Sequence, residues 1–161
     1  MQRILVVSDS HGRDENVQAA VDAAGRINAM IHLGDVGPNY QMVAQMARGV
    51  SAYIVRGNCD STSELMDRNI ISVAGHNIYA THGHRQQVNY DLQVLRYTAL
   101  QNKCDIALFG HTHVPYISMG DDVSIFNPGS VSLPRQSNHR ATYGILELHD
   151  DGTIHFEVCY L

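Results

Sequence analysis

The chain has 161 residues, of which 44% are hydrophobic and 17% are charged, with 13 glycines and 4 prolines. This length favours one compact domain over residues 1–161, and this composition excludes disordered, collagen-like and low-complexity proteins. Sixteen acidic residues against 11 basic ones give a formal net charge of −5. Because no basic run offers a track for a phosphate backbone, we expect no duplex nucleic acid as a partner.

The three cysteines, Cys59, Cys104 and Cys159, are widely spaced and odd in number. Such a pattern favours free thiols in a reducing compartment over a disulfide framework. The first residues lack the long apolar core of a secretory signal, so we expect a cytoplasmic protein. No run of about 18 apolar residues is present that could form a membrane span.

The first third of the chain alternates predicted strands and helices. The strands are predicted over 3–8, 29–33 and 51–55, with one helix ending at Gly25 and another over 40–47. The first helix is indicated by Val17, Ala20 and Val21, which recur at helical spacing. Strands that alternate with helices in this way are expected to pair in parallel.

The rest of the chain is richer in strands. These are predicted over 70–73 and 78–80, joined by a turn at 75–77, and over 105–109, 114–119, 123–126, 142–148 and 153–160, with a helix over 88–101. The last two strands are expected to form a hairpin. The whole pattern predicts an α/β protein with two packed sheets and helices outside them.

Polar side chains follow the predicted strands directly, at the point where each strand ends. They are Asp9, His11, Asp35, Asn58, His82, His111 and His113. The carboxyl ends of strands in an open α/β sheet line one crevice, so we expect these side chains to share it. Asp9 and His11 would project to the same side of an extended backbone.

The donor types in this set predict a metal centre. Two carboxylates, one amide oxygen and four imidazoles suit Mn²⁺, Fe²⁺, Co²⁺, Ni²⁺ or Zn²⁺ better than Mg²⁺ or Ca²⁺. Seven donors exceed the need of one tetrahedral ion, whereas two ions about 3.5–4 Å apart could share a carboxylate and a water. Two dications against two carboxylates leave a charge of about +2, which attracts an anionic substrate. The ions would generate hydroxide at neutral pH, and phosphoester hydrolysis is the natural reaction.

Five short motifs contain these side chains. They are Asp9-Ser10-His11, Gly34-Asp35, Gly57-Asn58-Cys59-Asp60, Thr81-His82-Gly83-His84 and Gly110-His111-Thr112-His113, followed by Asn127-Pro128-Gly129-Ser130 and Pro134-Arg135. Their order and spacing resemble the calcineurin-like metallophosphoesterase superfamily, and the short chain looks like its small prokaryotic phosphodiesterase branch. The resemblance covers nearly the whole chain. It implies a four-layer αββα sandwich, in which two mixed sheets are flanked by helices.

The resemblance also implies a role for each donor. One ion would be held by Asp9, His11, Asp35 and His113. The other would be held by Asp35, Asn58, His82 and His111, so that Asp35 is the bridge. The catalytic set would be Asp35, Asn58, Cys59 and His82. The cofactor would be two divalent metal ions, Mn²⁺ in the first place and Ni²⁺, Co²⁺, Fe²⁺ or Zn²⁺ as alternatives.

One position departs from the pattern of many superfamily members. They carry a histidine after the Gly-Asn pair, where it is thought to protonate the leaving oxygen or bind phosphate, and this chain has Cys59 there. A thiol with a pKa of about 8.5 can donate a proton but replaces an imidazolium poorly. We therefore predict that phosphodiesters with good leaving groups are preferred over alkyl monoesters.

Three residues are candidates for substrate binding. Asn58 and His84 could contact phosphate, although His84 could equally order a neighbouring ligand. Arg135 could pair with a phosphate oxygen, and its role is left open. Asp60 is expected to cap the segment that follows it rather than to bind a ligand.

The leading prediction is a cytoplasmic, dinuclear metal-dependent phosphodiesterase that attacks a small phosphodiester with metal-bound hydroxide. The alternative is a non-catalytic protein-binding scaffold, since the same fold resembles the retromer scaffold subunit, whose pocket is degraded. A nuclease is disfavoured because a basic track is missing. The substrate stays open among cyclic nucleotides, dinucleotides and lipid headgroup diesters. Exposed strand edges could pair two copies into a homodimer.

Overall fold

The computed structural model describes residues 1–161. Its strands are β1 (Gln2–Val7), β2 (Ala29–His32), β3 (Ser51–Ile54), β4 (Arg68–Val73), β5 (His76–Thr81), β6 (Ile106–Leu108), β7 (Tyr116–Ser118), β8 (Ser124–Asn127), β9 (Thr142–Leu148) and β10 (Ile154–Tyr160). Its helices are α1 (Asp14–Ala24), α2 (Tyr40–Gln45) and α3 (Gln93–Gln101), with a 3₁₀ turn over His84–Gln86. None of the helices has the length and hydropathy that crossing a bilayer requires.

The strands form two mixed five-stranded sheets, ordered β10-β9-β1-β2-β3 and β4-β5-β6-β8-β7. In the first sheet β1, β2 and β3 are parallel, as their alternation with helices predicts, and β9 and β10 add an antiparallel hairpin. In the second sheet β5, β6 and β8 are parallel, with antiparallel β4 and β7 at the edges. Each sheet therefore sets the carboxyl ends of three parallel strands side by side.

Three apolar clusters separate four layers. The first lies between the first sheet and helices α1 and α2, and it includes Val17 and Val43. The second, with Ile31 and Phe126, lies between the two sheets. The third packs Leu95 of α3 against the outer face of the second sheet. This layering confirms the predicted αββα sandwich.

Two local predictions are wrong. The helix expected over 88–101 begins only at Gln93, because the chain before it forms a 3₁₀ turn and then passes through Gln87 with a left-handed φ of 54°. The turn expected at 75–77 is shorter and covers only 74–75, since Val73 pairs with His76. The two residues between them have φ values of 51° and 82°, as a tight hairpin turn with two left-handed positions requires.

Candidate metal centre

The structure brings all seven predicted donors together. Each one follows the end of a parallel strand: Asp9 and His11 follow β1, Asp35 follows β2, Asn58 follows β3, His82 follows β5, and His111 and His113 follow β6. The two sheets face each other through their shared apolar core. Their parallel strand ends therefore supply donors to the same crevice.

The first group of donors surrounds His11. Its Nε2 lies 3.3 Å from Nε2 of His113, 3.6 Å from Oδ2 of Asp35 and 3.9 Å from Oδ1 of Asp9. Nε2 of His113 lies 3.2 Å from the same oxygen of Asp9. These separations are typical of ligands that stand about 2.0–2.2 Å from one ion.

The second group surrounds His82. Its Nε2 lies 3.3 Å from Oδ2 of Asp35, 3.0 Å from Oδ1 of Asn58 and 3.2 Å from Nδ1 of His111. Oδ2 of Asp35 therefore faces both groups, while Oδ1 of Asp35 accepts a hydrogen bond from the Cys59 amide at 2.8 Å. This arrangement leaves one carboxylate oxygen available to two adjacent ions.

Backbone carbonyls orient two of the buried histidines. Nδ1 of His82 donates to the Leu33 carbonyl at 2.6 Å, and Nδ1 of His113 donates to the Leu133 carbonyl at 2.7 Å. Because a carbonyl can only accept, Nδ1 carries the proton in each ring, and Nε2 of the neutral ring keeps a lone pair. A hydrogen bond of this kind at one ring nitrogen fixes the orientation of a metal-binding histidine and leaves the other nitrogen facing the ion.

Asp9 has a buried carboxylate oxygen without a hydrogen bond. Its Oδ2 accepts from the Ser8 hydroxyl at 2.6 Å and from the His111 amide at 3.1 Å, whereas its Oδ1 has no partner. A buried charged oxygen without a donor is costly. A cation in front of Oδ1 would remove that cost, and nearby imidazole and carboxylate donors are of the type that divalent transition metals bind. The residues present therefore fit a metal ion at this point.

The contacts within the centre shift several pKa values. Burial opposes ionisation of Asp9 and Asp35, but the adjacent imidazoles of His113 and His82, respectively, outweigh it and hold the pKa of both carboxyl groups below the usual value. Burial also opposes protonation of His82, yet Asp35 and Asp9 outweigh it and raise the pKa of this ring. Burial and the neighbouring His82 lower the pKa of His111. Both carboxylates are therefore ionised at neutral pH.

Five of the donors stand in the left-handed backbone region. Their φ values are 55° at Asp9, 48° at His11, 52° at Asp35, 67° at His111 and 59° at His113. Non-glycine residues rarely adopt this conformation, and where they cluster they mark functional sites. The expectation that Asp9 and His11 lie in extended backbone is therefore wrong. Their side chains converge because the chain turns sharply after β1.

Two glycines allow the donor segments to approach one another. A Cβ atom on Gly57 would lie 2.0 Å from Oδ1 of Asp35, and one on Gly110 would lie 1.9 Å from the Ser8 hydroxyl oxygen. Both distances are far below van der Waals contact, so no larger residue fits at either position without movement. This is the physical reason for a glycine before Asn58 and before His111.

Cys59 lies at the open side of the first group. It is exposed, and its sulfur lies within 4.8 Å of the donor atoms of His11 and Asp35. Partial burial and the carboxylate of Asp35 raise the pKa of the thiol. The group therefore keeps its proton at neutral pH and can donate it.

The other two residues predicted to bind substrate, His84 and Arg135, lie outside the two donor groups. The His84 ring lies 5.4 Å from that of His82 and belongs to neither group, and its buried Nδ1 has no hydrogen bond. The Arg135 side chain is exposed, while its amide donates to the His113 carbonyl at 3.1 Å. Both residues therefore border the centre.

Asp60 does not cap a helix, because residues 61–66 form none. Its carboxylate accepts instead from the amides of Gly57 at 2.8 Å, Gly37 at 3.0 Å and Val36 at 3.3 Å. These bonds join the loop after β2 to the loop after β3. Asp60 thereby holds Asp35 and Asn58 in position relative to each other.

Sequence reasoning missed several residues that support the centre. The carbonyls of Leu33 and Leu133 leave no trace in the sequence, since any residue offers a carbonyl. Ser8 could have been noticed because it directly precedes Asp9. Asn89, whose amide lies 2.9 Å from Nε2 of His111, carries no signal beyond its place in a loop.

Comparison with known proteins identifies a family. Residues 2–151 match the family model described as the calcineurin-like phosphoesterase superfamily domain. The chain is 32% identical over 155 residues to the probable metallophosphoesterase YsnB of Bacillus subtilis, covering 95% of this chain and 89% of that protein. It is 29% identical over 170 residues to the phosphodiesterase YfcE of Escherichia coli K12, covering 91% and 88%.

Solved structures show the same fold. A predicted phosphoesterase from Streptococcus pneumoniae TIGR4 superposes with a TM-score of 0.79 and 28% identity, covering 99% of this chain and 98% of that one. A Vps29 variant from Entamoeba histolytica superposes with a TM-score of 0.74 and 20% identity, covering 99% of both chains. At that identity the likeness to Vps29 concerns the fold alone.

Proposed function

The chain belongs to the calcineurin-like phosphoesterase superfamily, and from this premise we propose that it hydrolyses small phosphodiesters with the help of two divalent cations. The observation that carries the proposal is the pair of donor groups that share Oδ2 of Asp35, which lies 3.6 Å from Nε2 of His11 and 3.3 Å from Nε2 of His82. One carboxylate oxygen between two sets of donors is the arrangement expected of a bridging ligand.

The donor groups define two ion sites. One site consists of Asp9, His11, Asp35 and His113, and the other of Asp35, Asn58, His82 and His111. When bound, two cations supply a water of lowered pKa and neutralise charge on the phosphoryl oxygens. Mn²⁺ is the first choice, with Ni²⁺, Co²⁺, Fe²⁺ or Zn²⁺ as alternatives, because the mixture of imidazole and carboxylate donors suits divalent transition metals as a group.

The charge of the centre favours an anionic substrate. Asn58 contributes a neutral amide where a third carboxylate would reduce the positive charge of the loaded site. His84 offers a buried, unpaired Nδ1 beside His82, and Arg135 is an exposed cation next to His113. We assign Asn58, His84 and Arg135 to the binding of the phosphate group.

Cys59 is the proton donor in this proposal. A new P–O bond forms from water to phosphorus while the bond from phosphorus to the leaving oxygen breaks; the proton that the water loses passes to solvent, and solvent reprotonates the thiolate of Cys59 afterwards. The leaving oxygen takes its proton from the thiol, which remains protonated at neutral pH because burial and Asp35 raise its pKa. The weaker acidity of a thiol compared with an imidazolium limits this step to leaving groups that need little assistance.

Metal content and hydrolysis, measured on the same preparation, test the proposal. We expect chelator-treated protein to take up two Mn²⁺ ions per chain and then to hydrolyse bis(p-nitrophenyl) phosphate. Asp35→Asn should abolish both properties, and Asp121→Asn, at an exposed position away from the centre, should preserve them. A wild-type chain that binds no Mn²⁺ and releases no p-nitrophenol would contradict the proposal.

A non-catalytic scaffold is the second candidate. Tyr116 and Ile117 of the edge strand β7, together with Met119, expose 43%, 45% and 58% of their surface, and such apolar side chains can serve as a protein contact. The full set of donors supports the enzyme instead. Absence of metal binding and hydrolysis in the experiment above would favour the scaffold. A cytoplasmic location and a homodimer through strand edges stay predictions.

A further inference from the structure

A cleft of about 290 Å³ adjoins the candidate metal centre on the side of Cys59. A cavity of about 190 Å³, lined in part by His11 and Asp35, lies next to it. Four residues line both spaces: Gly37, Pro38, Cys59 and Asp60. The two spaces share this wall, so a molecule whose phosphate is held at the metal centre can extend one arm past Cys59 into the cleft.

The outer part of the cleft is rich in hydroxyl groups. It is lined by Tyr40, Ser61 and Thr62. The Tyr40 hydroxyl donates to the carboxylate of Glu64, and the Thr62 hydroxyl oxygen accepts from the Glu64 amide at 3.1 Å. The oxygen of Tyr40 can still accept, and the hydroxyls of Ser61 and Thr62 can still donate. A hydroxyl group of a ligand can therefore both donate and accept a hydrogen bond here.

The charge of the cleft excludes a second anion. No lysine, arginine or histidine lines it, whereas Asp60 lines its inner part and Glu64 contacts Tyr40 at its outer part. A further phosphate or carboxylate on the arm would meet only negative side chains. The arm inside the cleft must then carry no negative charge of its own.

The size of the cleft limits the arm that it can take. About 290 Å³ lies just below the range of about 300–1,000 Å³ that ligand pockets span. The floor of the cleft is held in place, because Asp60 binds the amides of Gly57 and Gly37. A short arm with several hydroxyls fits this space and this chemistry better than a long or purely apolar one.

We propose that this cleft is the subsite for one arm of the substrate, and that this arm is a neutral, polyhydroxylated alcohol of glycerol or pentose size. The cleft shares its wall of Gly37, Pro38, Cys59 and Asp60 with the cavity at His11 and Asp35, so one arm of a diester whose phosphate is held there lies inside the cleft. This inference rests on the proposed phosphodiesterase function and names its substrate class.

Two diesters that differ only in hydroxyl groups test the subsite by calorimetry on the Mn²⁺-loaded protein. Methyl glyceryl phosphate should bind about three- to tenfold more tightly than methyl propyl phosphate, the gain expected for one or two additional hydrogen bonds. Methyl 2-carboxyethyl phosphate, which carries a second negative charge, should bind more weakly than either. Equal affinities for the glyceryl and propyl diesters would overturn the inference.

Variants of the lining provide the second part of the test. Ser61→Ala combined with Thr62→Val should bring the glyceryl-to-propyl ratio close to one, and Tyr40→Phe should reduce it. Ser63→Ala is the matched control, since Ser63 lies on the same loop but outside the lining, and it should keep the ratio. A preference that survives the loss of all three hydroxyls would also overturn the inference.

The proposed function can be tested independently of the subsite, because the two have different measurements. Hydrolysis of bis(p-nitrophenyl) phosphate, measured on the same preparations, reports on the metal centre. Hydrolysis without discrimination between the glyceryl and propyl diesters rejects the subsite alone. Discrimination without hydrolysis of any diester leaves a cleft that binds hydroxylated ligands, but it rejects the enzyme and with it the role of the cleft as a substrate subsite.

Discussion

Oδ1 of Asp9 and Nε2 of His113 lie 3.2 Å apart without a hydrogen bond between them. The proton of His113 is on Nδ1, which donates to the Leu133 carbonyl, so a lone pair of the ring faces a lone pair of the carboxylate. This contact is unfavourable in the metal-free protein. It becomes favourable when one cation bonds to both atoms.

Asp9→Asn should therefore separate metal binding from stability. The variant amide can accept the two bonds that Oδ2 accepts now, and its N–H groups can donate to Nε2 of His113. We expect the metal-free variant to be at least as stable as the metal-free wild type. Mn²⁺ at 100 times its Kd should stabilise the wild type by about 2.7 kcal/mol and the variant by much less. Thermal unfolding with and without Mn²⁺ measures both effects, and Asp121→Asn is the control. Equal stabilisation of both chains by Mn²⁺ would be the contrary result.

Gly57→Ala should damage the centre by steric contact alone. The new methyl group would stand 2.0 Å from Oδ1 of Asp35, and the displacement of packed groups costs about 1–3 kcal/mol. Because Asp35 lies in both donor groups, Mn²⁺ uptake should fall along with stability. Gly152→Ala, where a Cβ meets nothing within 4 Å, should cost stability through its φ of 85° but leave Mn²⁺ uptake intact. Normal uptake in Gly57→Ala would show that Asp35 is not confined as described.

Cys59 should set the range of esters that are hydrolysed. We expect the wild type to cleave an aryl phosphodiester far faster than an alkyl phosphomonoester, because the protonated thiol is a weak acid. Cys59→His should raise turnover of the monoester by at least about tenfold, which is less than the full contribution of about 10²–10⁴ that general acids make. Cys59→Ala, which provides no acid, should not raise it. Comparable turnover of both esters by the wild type would refute this explanation.

His32 should make stability depend on pH below neutrality. It is fully buried, with Nδ1 accepting from the Gly34 amide at 3.2 Å and Nε2 beside the Ser10 hydroxyl at 2.9 Å. Burial lowers the pKa of the ring to about 4. The unfolded chain therefore takes up a proton that the folded chain refuses between pH about 6.5 and about 4. The free energy of unfolding has its full value above this pH range and falls by about 3 kcal/mol as the pH decreases through it.

Substitution of His32 by glutamine should flatten this dependence. Glutamine can accept from the Gly34 amide and donate to Ser10 but does not titrate. Urea unfolding of the metal-free protein from pH 4 to pH 7 gives the slope of the unfolding free energy for each chain. His155→Gln, at an exposed position, should keep the wild-type slope. If the His32→Gln variant has the same slope as the wild type, the pH dependence arises from other groups.

The order of elements could be predicted because it depends on local patterns. The apolar run of β1, the helical spacing in α1 and the alternation of strands with helices are properties of neighbouring residues. Strand β9 was predicted over 142–148 and is found there. Prediction failed at the start of α3 because residues 84–92 contact the rest of the fold instead of continuing the helix. There the Thr81 hydroxyl lies 3.3 Å from the Gln86 side-chain carbonyl, and the Asn89 amide lies 2.9 Å from His111.

The sequence by itself determined which donors are available and that parallel strand ends would gather them, since both follow from residue type and strand order. Only the tertiary structure decided which atom of each donor faces its neighbours. Nδ1 of His82 binds the carbonyl of Leu33, 49 residues away, and the left-handed turn after β1 sets the direction of Asp9 and His11. These contacts form only once the two sheets are packed, so no local pattern encodes them.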